Sequence, residues 1–252
     1  MDSGLGGISV VRAIRAVQPN YPLIYLADTA GFPYGERSAD ELIARAESLL
    51  SALLAQHAAR LIVLACNTLS TLCLEPLRKH LPYSFIGTVP AIKTAAYVSQ
   101  NRRFTLLATP NTAHSSYSAD LIAQFAQGCV VDCYGAPSLA SMAEASVLGQ
   151  GIDENALKRE LMPAFFDDSR GKTDAIVLGC THYPLIVEAL RAVAPWPVTW
   201  IDSSEAIAKR ALSEQETPLA ESVAYVSSEE ALAEYEAFFA REGFTKTKLI
   251  AV

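Results

Sequence analysis

Ile62-Val63-Leu64-Ala65-Cys66-Asn67-Thr68 is echoed at Ile176-Val177-Leu178-Gly179-Cys180-Thr181-His182. Each copy is an apolar run of strand length, then a small residue, then a cysteine, then polar residues that open a helix. Runs that are apolar at every position suit parallel strands covered by helices on both faces. A second pair of polar turns, Asp2-Ser3-Gly4 and Thr109-Pro110-Asn111-Thr112, falls at corresponding places in the two halves. Two similar units facing each other account for both echoes. Only two copies are present, so the pattern is a pseudo-symmetric pair and not a solenoid.

Working outward, further strands are expected at Pro22 to Ala27, Phe85 to Val89, Phe104 to Ala108, Cys129 to Cys133 and Val198 to Asp202. The clearest helix begins at Ser38, where Ser38 and Glu41 hold capping-box positions ahead of Leu42, Ile43, Ala46, Leu49, Leu50, Leu53 and Leu54. Other helices are expected through Ile8, Val11, Ile14 and Val17, stopping before Pro19, and from Ser227 through Arg241, with Gly243 as the stop. Alternating strands and helices indicate an α/β fold: two pseudo-symmetric α/β domains with mostly parallel sheets. The division expected is a discontinuous first domain, residues 1–90 plus 203–252, and a second domain of residues 91–202.

Composition narrows the function. The 252 residues are 51% hydrophobic and 19% charged, as in a well-packed globular protein. A formal net charge of −7 argues against a wide phosphate-binding surface, so nucleic acid is not an expected partner. No apolar run approaches the ~20 residues that cross a bilayer, and no membrane partner is expected. The expected location is the cytoplasm. Five cysteines (Cys66, Cys73, Cys129, Cys133, Cys180) without an even ladder of spacings disfavour a disulfide framework or a thiolate zinc site, and no metal is expected. Cys73, Cys129 and Cys133 read as small buried hydrophobes.

In an open parallel sheet, ligands sit beyond the carboxyl ends of the strands, where Cys66 and Cys180 fall. A cysteine opening a helix feels the positive end of the helix dipole, which favours thiolate. That matters, because a thiol of pKa about 8.5 is only a few per cent ionised at neutral pH. His182, two residues from Cys180, is placed to tune that thiol or take its proton. The Asp2-Ser3-Gly4-Leu5-Gly6-Gly7 turn lacks the lysine of a phosphate-binding loop. Its functional reading is a carboxylate held by backbone N–H groups and Ser3, with Asp2 near a reacting proton.

DSGLGG (Asp2 to Gly7), ADTAGFPYG (Ala27 to Gly35), ACNT (Ala65 to Thr68), the run Thr109, Thr112, Ser115, and LGCTHYPL (Leu178 to Leu185) together resemble the glutamate racemases of the aspartate and glutamate racemase superfamily. The resemblance spans residues 2 to 185. It implies two α/β domains with the active site in the interdomain cleft, and racemisation of L- and D-glutamate with no cofactor. It implies Cys66 and Cys180 as the two acid/base groups, serving the D- and L-enantiomer respectively, with Asp2, His182 and Glu144 as auxiliary proton-handling residues. It implies Ser3, Pro33, Tyr34, Gly35, Asn67, Thr68, Thr112 and Thr181 as substrate-binding positions. Glutamate is then the small-molecule partner, a homodimer is a possible assembly, and D-glutamate goes into bacterial peptidoglycan.

This chain departs from the pattern twice. Members of the family carry apolar residues ahead of DSG that form a first strand, whereas Asp2 here follows Met1, so the sheet is expected to lack a central element. Gly31 replaces the usual Asn, which is expected to loosen that loop.

The chemistry needs one group to remove the α-proton from one face while another delivers a proton to the other face. Near-attack distances of roughly 3 to 3.5 Å put the two sulfurs about 7 Å apart. Hydrogen-bond donors must hold the charge that develops on the carboxylate. Other readings are a racemase for another acidic amino acid, a catalytically impaired racemase-like binding protein, and a Cys/His hydrolase or transferase with Cys180 as nucleophile. A pyridoxal-phosphate racemase would leave the paired cysteines idle, and no lysine sits in a Schiff-base setting.

Overall fold

The computed structural model describes residues 1–59, 61–214 and 221–251. The chain divides into two compact units, one of Met1–Thr88 with Ser204–Val252 and one of Val89–Ser203. In chain order the strands are β1 (Ile24–Ala27), β2 (Leu61–Leu64), β3 (Ser84–Gly87), β4 (Arg103–Ala108), β5 (Val130–Gly135), β6 (Asp167–Asp168), β7 (Gly171–Lys172), β8 (Ala175–Gly179), β9 (Thr199–Ile201), β10 (Val223–Val226) and β11 (Lys246–Leu249). Among the described residues no helix is long and apolar enough to cross a membrane.

The Val89–Ser203 unit is built on a parallel sheet of order β5-β4-β8-β9. All six residues of β4 and all five of β8 are buried. Successive side chains go to opposite faces. Leu107, Ile176 and Leu178 pack on one side with Leu139, Leu157 and Leu190. Phe104, Leu106 and Val177 pack on the other with Ile92 and Ala95. That double coverage is why these strands read as unbroken apolar runs. The echo differs by one residue for a steric reason: at Gly179, where the other copy has Ala65, a Cβ would stand 2.9 Å from the Ala108 Cβ.

The other unit holds two parallel sheets, β1-β10-β11 and β2-β3. Met1 and Asp2 lie between them. Met1 donates its amine to the Val63 carbonyl and accepts from the Ala65 N–H, at 2.9 and 2.8 Å. Asp2 donates to Leu26 O and accepts from Asp28 N, both at 2.9 Å. Met1 and Asp2 thus stand where the sheet was expected to lack a central element. Helix α1 (Ile8–Val17) buries Val10, Val11 and Ile14. Helix α2 (Ala39–Leu54) starts where the Ser38 side chain accepts from Glu41 N, and buries Leu42, Ala46, Leu49, Leu50 and Leu53. Ile43 and Leu54 are only partly buried against that core. Helix α3 (Asn67–His80) follows Cys66.

The expected helix from Ser227 begins later, at Leu232. Ser227 and Ser228 are engaged with Asp28 and Thr29, which holds their segment out of helical geometry. The helix ends at Arg241, with Gly243 at φ 75°, the left-handed conformation that glycine tolerates.

Arg103 sets the β6–β7 hairpin against the sheet. Fully buried, it donates to Asp132 (2.9 Å), Asp168 (2.6 Å) and the Gly171 carbonyl (2.7 Å). The guanidinium holds the Asp168 carboxyl well below the usual range. Arg103→Met keeps the volume but leaves Asp132 only the longer 3.6 Å contact with Arg170, and is expected to cost about 2 kcal/mol, read from the urea midpoint.

Candidate functional site

In the Val89–Ser203 unit, β4 and β8 end in register at Ala108↔Gly179, so the turns that start at Thr109 and Cys180 emerge side by side at the carboxyl end of the sheet. Cys180, Thr181, His182, Thr112 and Glu144 are all buried. Cys180 Sγ lies 3.8 Å from His182 Nδ1, and His182 Nε2 lies 2.7 Å from Glu144 Oε2. Glu144 comes from the helix Leu139–Val147. A carboxylate on Nε2 makes that nitrogen the N–H donor and turns Nδ1 toward the sulfur. The arrangement can carry a proton from the thiol to imidazole and stabilise the cation that results.

Cys180 does not open an α-helix, contrary to the sequence expectation. His182 leads into the 3-10 turn Tyr183–Ile186, and α-helical geometry resumes only at Val187. Pro184, in the first turn, has no N–H to continue a ladder. The helix-dipole argument therefore does not apply here, and His182 stands in its place. Thr109 Oγ1 donates to Thr112 Oγ1 at 3.1 Å. Ser115 caps the helix Ser116–Phe125, accepting from Ser118 N at 3.0 Å. Part of the Thr-Thr-Ser run is thus spent on local structure.

In the other unit, the turns after β1, after β2 and after Asp2 leave the same end of adjoining strands. Asp2 is fully buried, and its Oδ1 accepts from Gly4 N at 2.8 Å. Tyr25 donates its hydroxyl to the Gly4 carbonyl at 2.8 Å, fixing the glycine turn that carries Ser3. Cys66 is the N-cap of α3, with φ −138° and ψ 122°, so the dipole argument holds at this cysteine. Asn67 and Thr68 fill the first turn and are buried. The Asn67 side-chain nitrogen has no hydrogen-bond partner among the described residues, a donor that a bound carboxylate would satisfy. Cys73, further along α3, is sealed in the core, and burial pushes its thiol up to about 12. None of the five cysteines is in a disulfide.

Pro33, Tyr34 and Gly35 sit on a loop held by a network that sequence reading missed. Asp28, fully buried, accepts from the Tyr34 hydroxyl (2.5 Å), from Ser227 (2.6 Å) and from both Nε and Nη2 of Arg45. Burial first, and then the Asp28 charge, hold the Tyr34 phenol far above its ordinary pKa. Tyr34 therefore gives its hydroxyl to the protein, while Pro33 is exposed and Gly35 buried. Gly31, expected to loosen the loop, instead makes room for this network: a Cβ there would collide with Asp28 Oδ2 and Arg45 Nε. Gly31→Ala is accordingly expected to part Arg45 from Asp28 and cost about 2 kcal/mol, measured by chemical denaturation.

The chain matches the Asp/Glu/hydantoin racemase family over residues 8–211. It is 45% identical over 210 residues to the glutamate racemase of Brucella canis, an alignment covering 83% of this chain and 76% of that protein. The structure of Escherichia coli glutamate racemase in complex with L-glutamate and the activator UDP-MurNAc-Ala superposes with a TM-score of 0.92 at 36% identity, covering 100% of this chain and 96% of that one. The Francisella tularensis enzyme in complex with D-glutamate gives 0.77 at 26% identity, covering 99% and 95%. On the length and identity of these matches, the chain belongs to the Asp/Glu/hydantoin racemase family, among its glutamate racemases.

Proposed function

We propose that the chain interconverts L- and D-glutamate without a cofactor, with Cys66 and Cys180 as the two acid/base groups. The observation that carries this reading is the buried chain from Cys180 through His182 to Glu144, in a chain whose other echo cysteine caps α3. Each cysteine belongs to a different unit, and the two units are the catalytic domains of this reading. One sulfur starts as thiolate and removes the α-proton. The other starts as thiol and returns a proton to the opposite face of the planar intermediate, which inverts the carbon and exchanges the roles of the two sulfurs. Cys180 takes the proton from L-glutamate, with His182 and Glu144 holding the charge, and Cys66 takes it from D-glutamate with Asp2 at hand.

Ser3, Asn67, Thr68, Thr112 and Thr181 supply donors to the substrate carboxylates and ammonium, and the Pro33–Gly35 loop closes on it. Tyr34 contributes through its main chain, since its hydroxyl is engaged with Asp28. The product serves peptidoglycan synthesis in the bacterial cytoplasm.

The same Cys180–His182–Glu144 chain also has the layout of nucleophile, base and orienting acid, which favours a hydrolase or transferase as the second reading. Incubation with L- and then D-glutamate in D₂O separates the two. Racemisation with α-deuterium incorporation from both enantiomers, and no acyl-enzyme burst, is the expected result. Cys66→Ala and Cys180→Ala are each expected to lose at least ~100-fold in kcat/KM, and full activity in either removes that cysteine from the mechanism. Glu144→Gln is expected to lose about tenfold and to displace the pH profile, because His182 loses its carboxylate partner. A fall in rate with an unmoved profile would make Glu144 merely structural.

A further inference from the structure

Ser70 holds the chain on both sides of Cys66. Its N–H donates to the Cys66 carbonyl at 2.9 Å, the bond that opens α3, and its hydroxyl donates to the Leu64 carbonyl at 2.9 Å, at the end of β2. The ladder between β2 and β3 ends at Leu64↔Gly87. One residue later the connection passes to side chains. Thr88 N donates to Ser70 Oγ at 2.8 Å, and Thr88 Oγ1 donates to the same Leu64 carbonyl at 2.8 Å. Gly87 lets the helix sit this close, since a Cβ there would stand 2.7 Å from Leu74 Cδ2 and 3.3 Å from Ser70 Cβ.

Both residues are buried. Leu64 O accepts two hydroxyl donors, one for each lone pair, and Ser70 Oγ both donates and accepts, so its rotamer is fixed from two directions. The turn through Ala65 and Cys66 is therefore closed into a ring by hydrogen bonds, where a strand and the helix after it need share only the chain between them. Such closure matters for an acid/base group, because a displacement of about 1 Å can cost on the order of 100-fold in rate. The second echo lacks the device. Four residues after Cys180, where Ser70 stands in the first copy, is Pro184, which has neither an N–H nor a hydroxyl.

We infer that Ser70, with Thr88 behind it, is a positioning residue for Cys66 alone, and so governs the half of the reaction in which that sulfur exchanges the α-proton. The inference rests on the two-cysteine racemase reading above. Its test uses α-deuterated D- and L-glutamate with the full chain and with Ser70→Ala, Thr88→Val and Thr88→Ser. Thr105→Val serves as control, removing a buried hydroxyl that donates to Ala164 O at 2.7 Å in the other unit. Deuterium on D-glutamate reports transfer to Cys66, and deuterium on L-glutamate reports transfer to Cys180. Ser70→Ala is expected to lower kcat about tenfold with KM little changed. It is also expected to raise the isotope effect on kcat/KM from D-glutamate and lower that from L-glutamate, as the Cys66 step becomes the slower one. Thr88→Val is expected to move both in the same directions by less, and carries the test where Ser70→Ala does not fold. Thr88→Ser is expected to restore the original values, and Thr105→Val to leave both isotope effects unmoved. Isotope effects that stay put in Ser70→Ala and Thr88→Val, that move equally from both enantiomers, or that move as far in Thr105→Val overturn the positioning role and leave the racemase reading standing. An unaltered chain that racemises neither enantiomer overturns both.

Discussion

Four main-chain hydrogen bonds at Met1 and Asp2 are the constraint on which the first unit depends. They are the ladder bonds by which residues 1 and 2 link β1 to β2. Each is worth only about 1 kcal/mol net, yet what hangs on them is disproportionate. The Ala65 N–H that Met1 accepts belongs to the residue before Cys66, and the Asp28 N–H that Asp2 accepts belongs to the residue anchoring the Pro33–Gly35 loop. Three turns are thus registered to one another through these two residues. Disturbance there would reach all three together.

The two cysteines of the echo have different physical supports despite their matching sequence. At Cys66 the chain turns directly into a helix of 14 residues, so the N–H groups of its first turn and the aligned peptide dipoles favour negative charge. At Cys180 the following residues make a 3-10 turn, and the nearest organised charge is the His182–Glu144 pair. One support is fixed in the backbone, while the other is titratable. A pair of acid/base groups that must exchange roles needs each sulfur to be tolerable both as thiol and as thiolate, and two unlike supports can meet that need in two ways.

Most of the strand framework was legible because buried parallel strands leave solid apolar runs, as in β2, β4 and β8. One missed strand, β10, has that signature, since Val223-Ala224-Tyr225-Val226 is apolar and buried throughout, and the reading passed over it; the other missed strands lack it. β11, Lys246-Thr247-Lys248-Leu249, is an edge strand whose residues are largely exposed, so its composition answers to water. β6 and β7 are two residues each and exist because Arg103 reaches them. The cysteines, His182 and Asp2 were legible from position. Glu144 was legible only through resemblance, because its partnership with His182 spans 38 residues of chain. Nothing local marked Arg45 as the partner of Asp28, and Gly31 could be understood only once that pair was seen to need its space.

Cys73 supplies an internal measure of what position does for a thiol. It lies on α3, as Asn67 and Thr68 do, two turns beyond the cap at Cys66. Burial drives its pKa up to about 12, far from any use in acid/base chemistry near neutrality. Burial alone therefore opposes the reaction proposed here, since Cys66 and Cys180 are both buried too. What separates them from Cys73 is the charge-stabilising group beside each: the helix start at one, an imidazole with its carboxylate at the other. A buried thiol becomes useful for proton transfer only where such a group offsets desolvation, and in this chain those groups stand at the carboxyl ends of parallel strands.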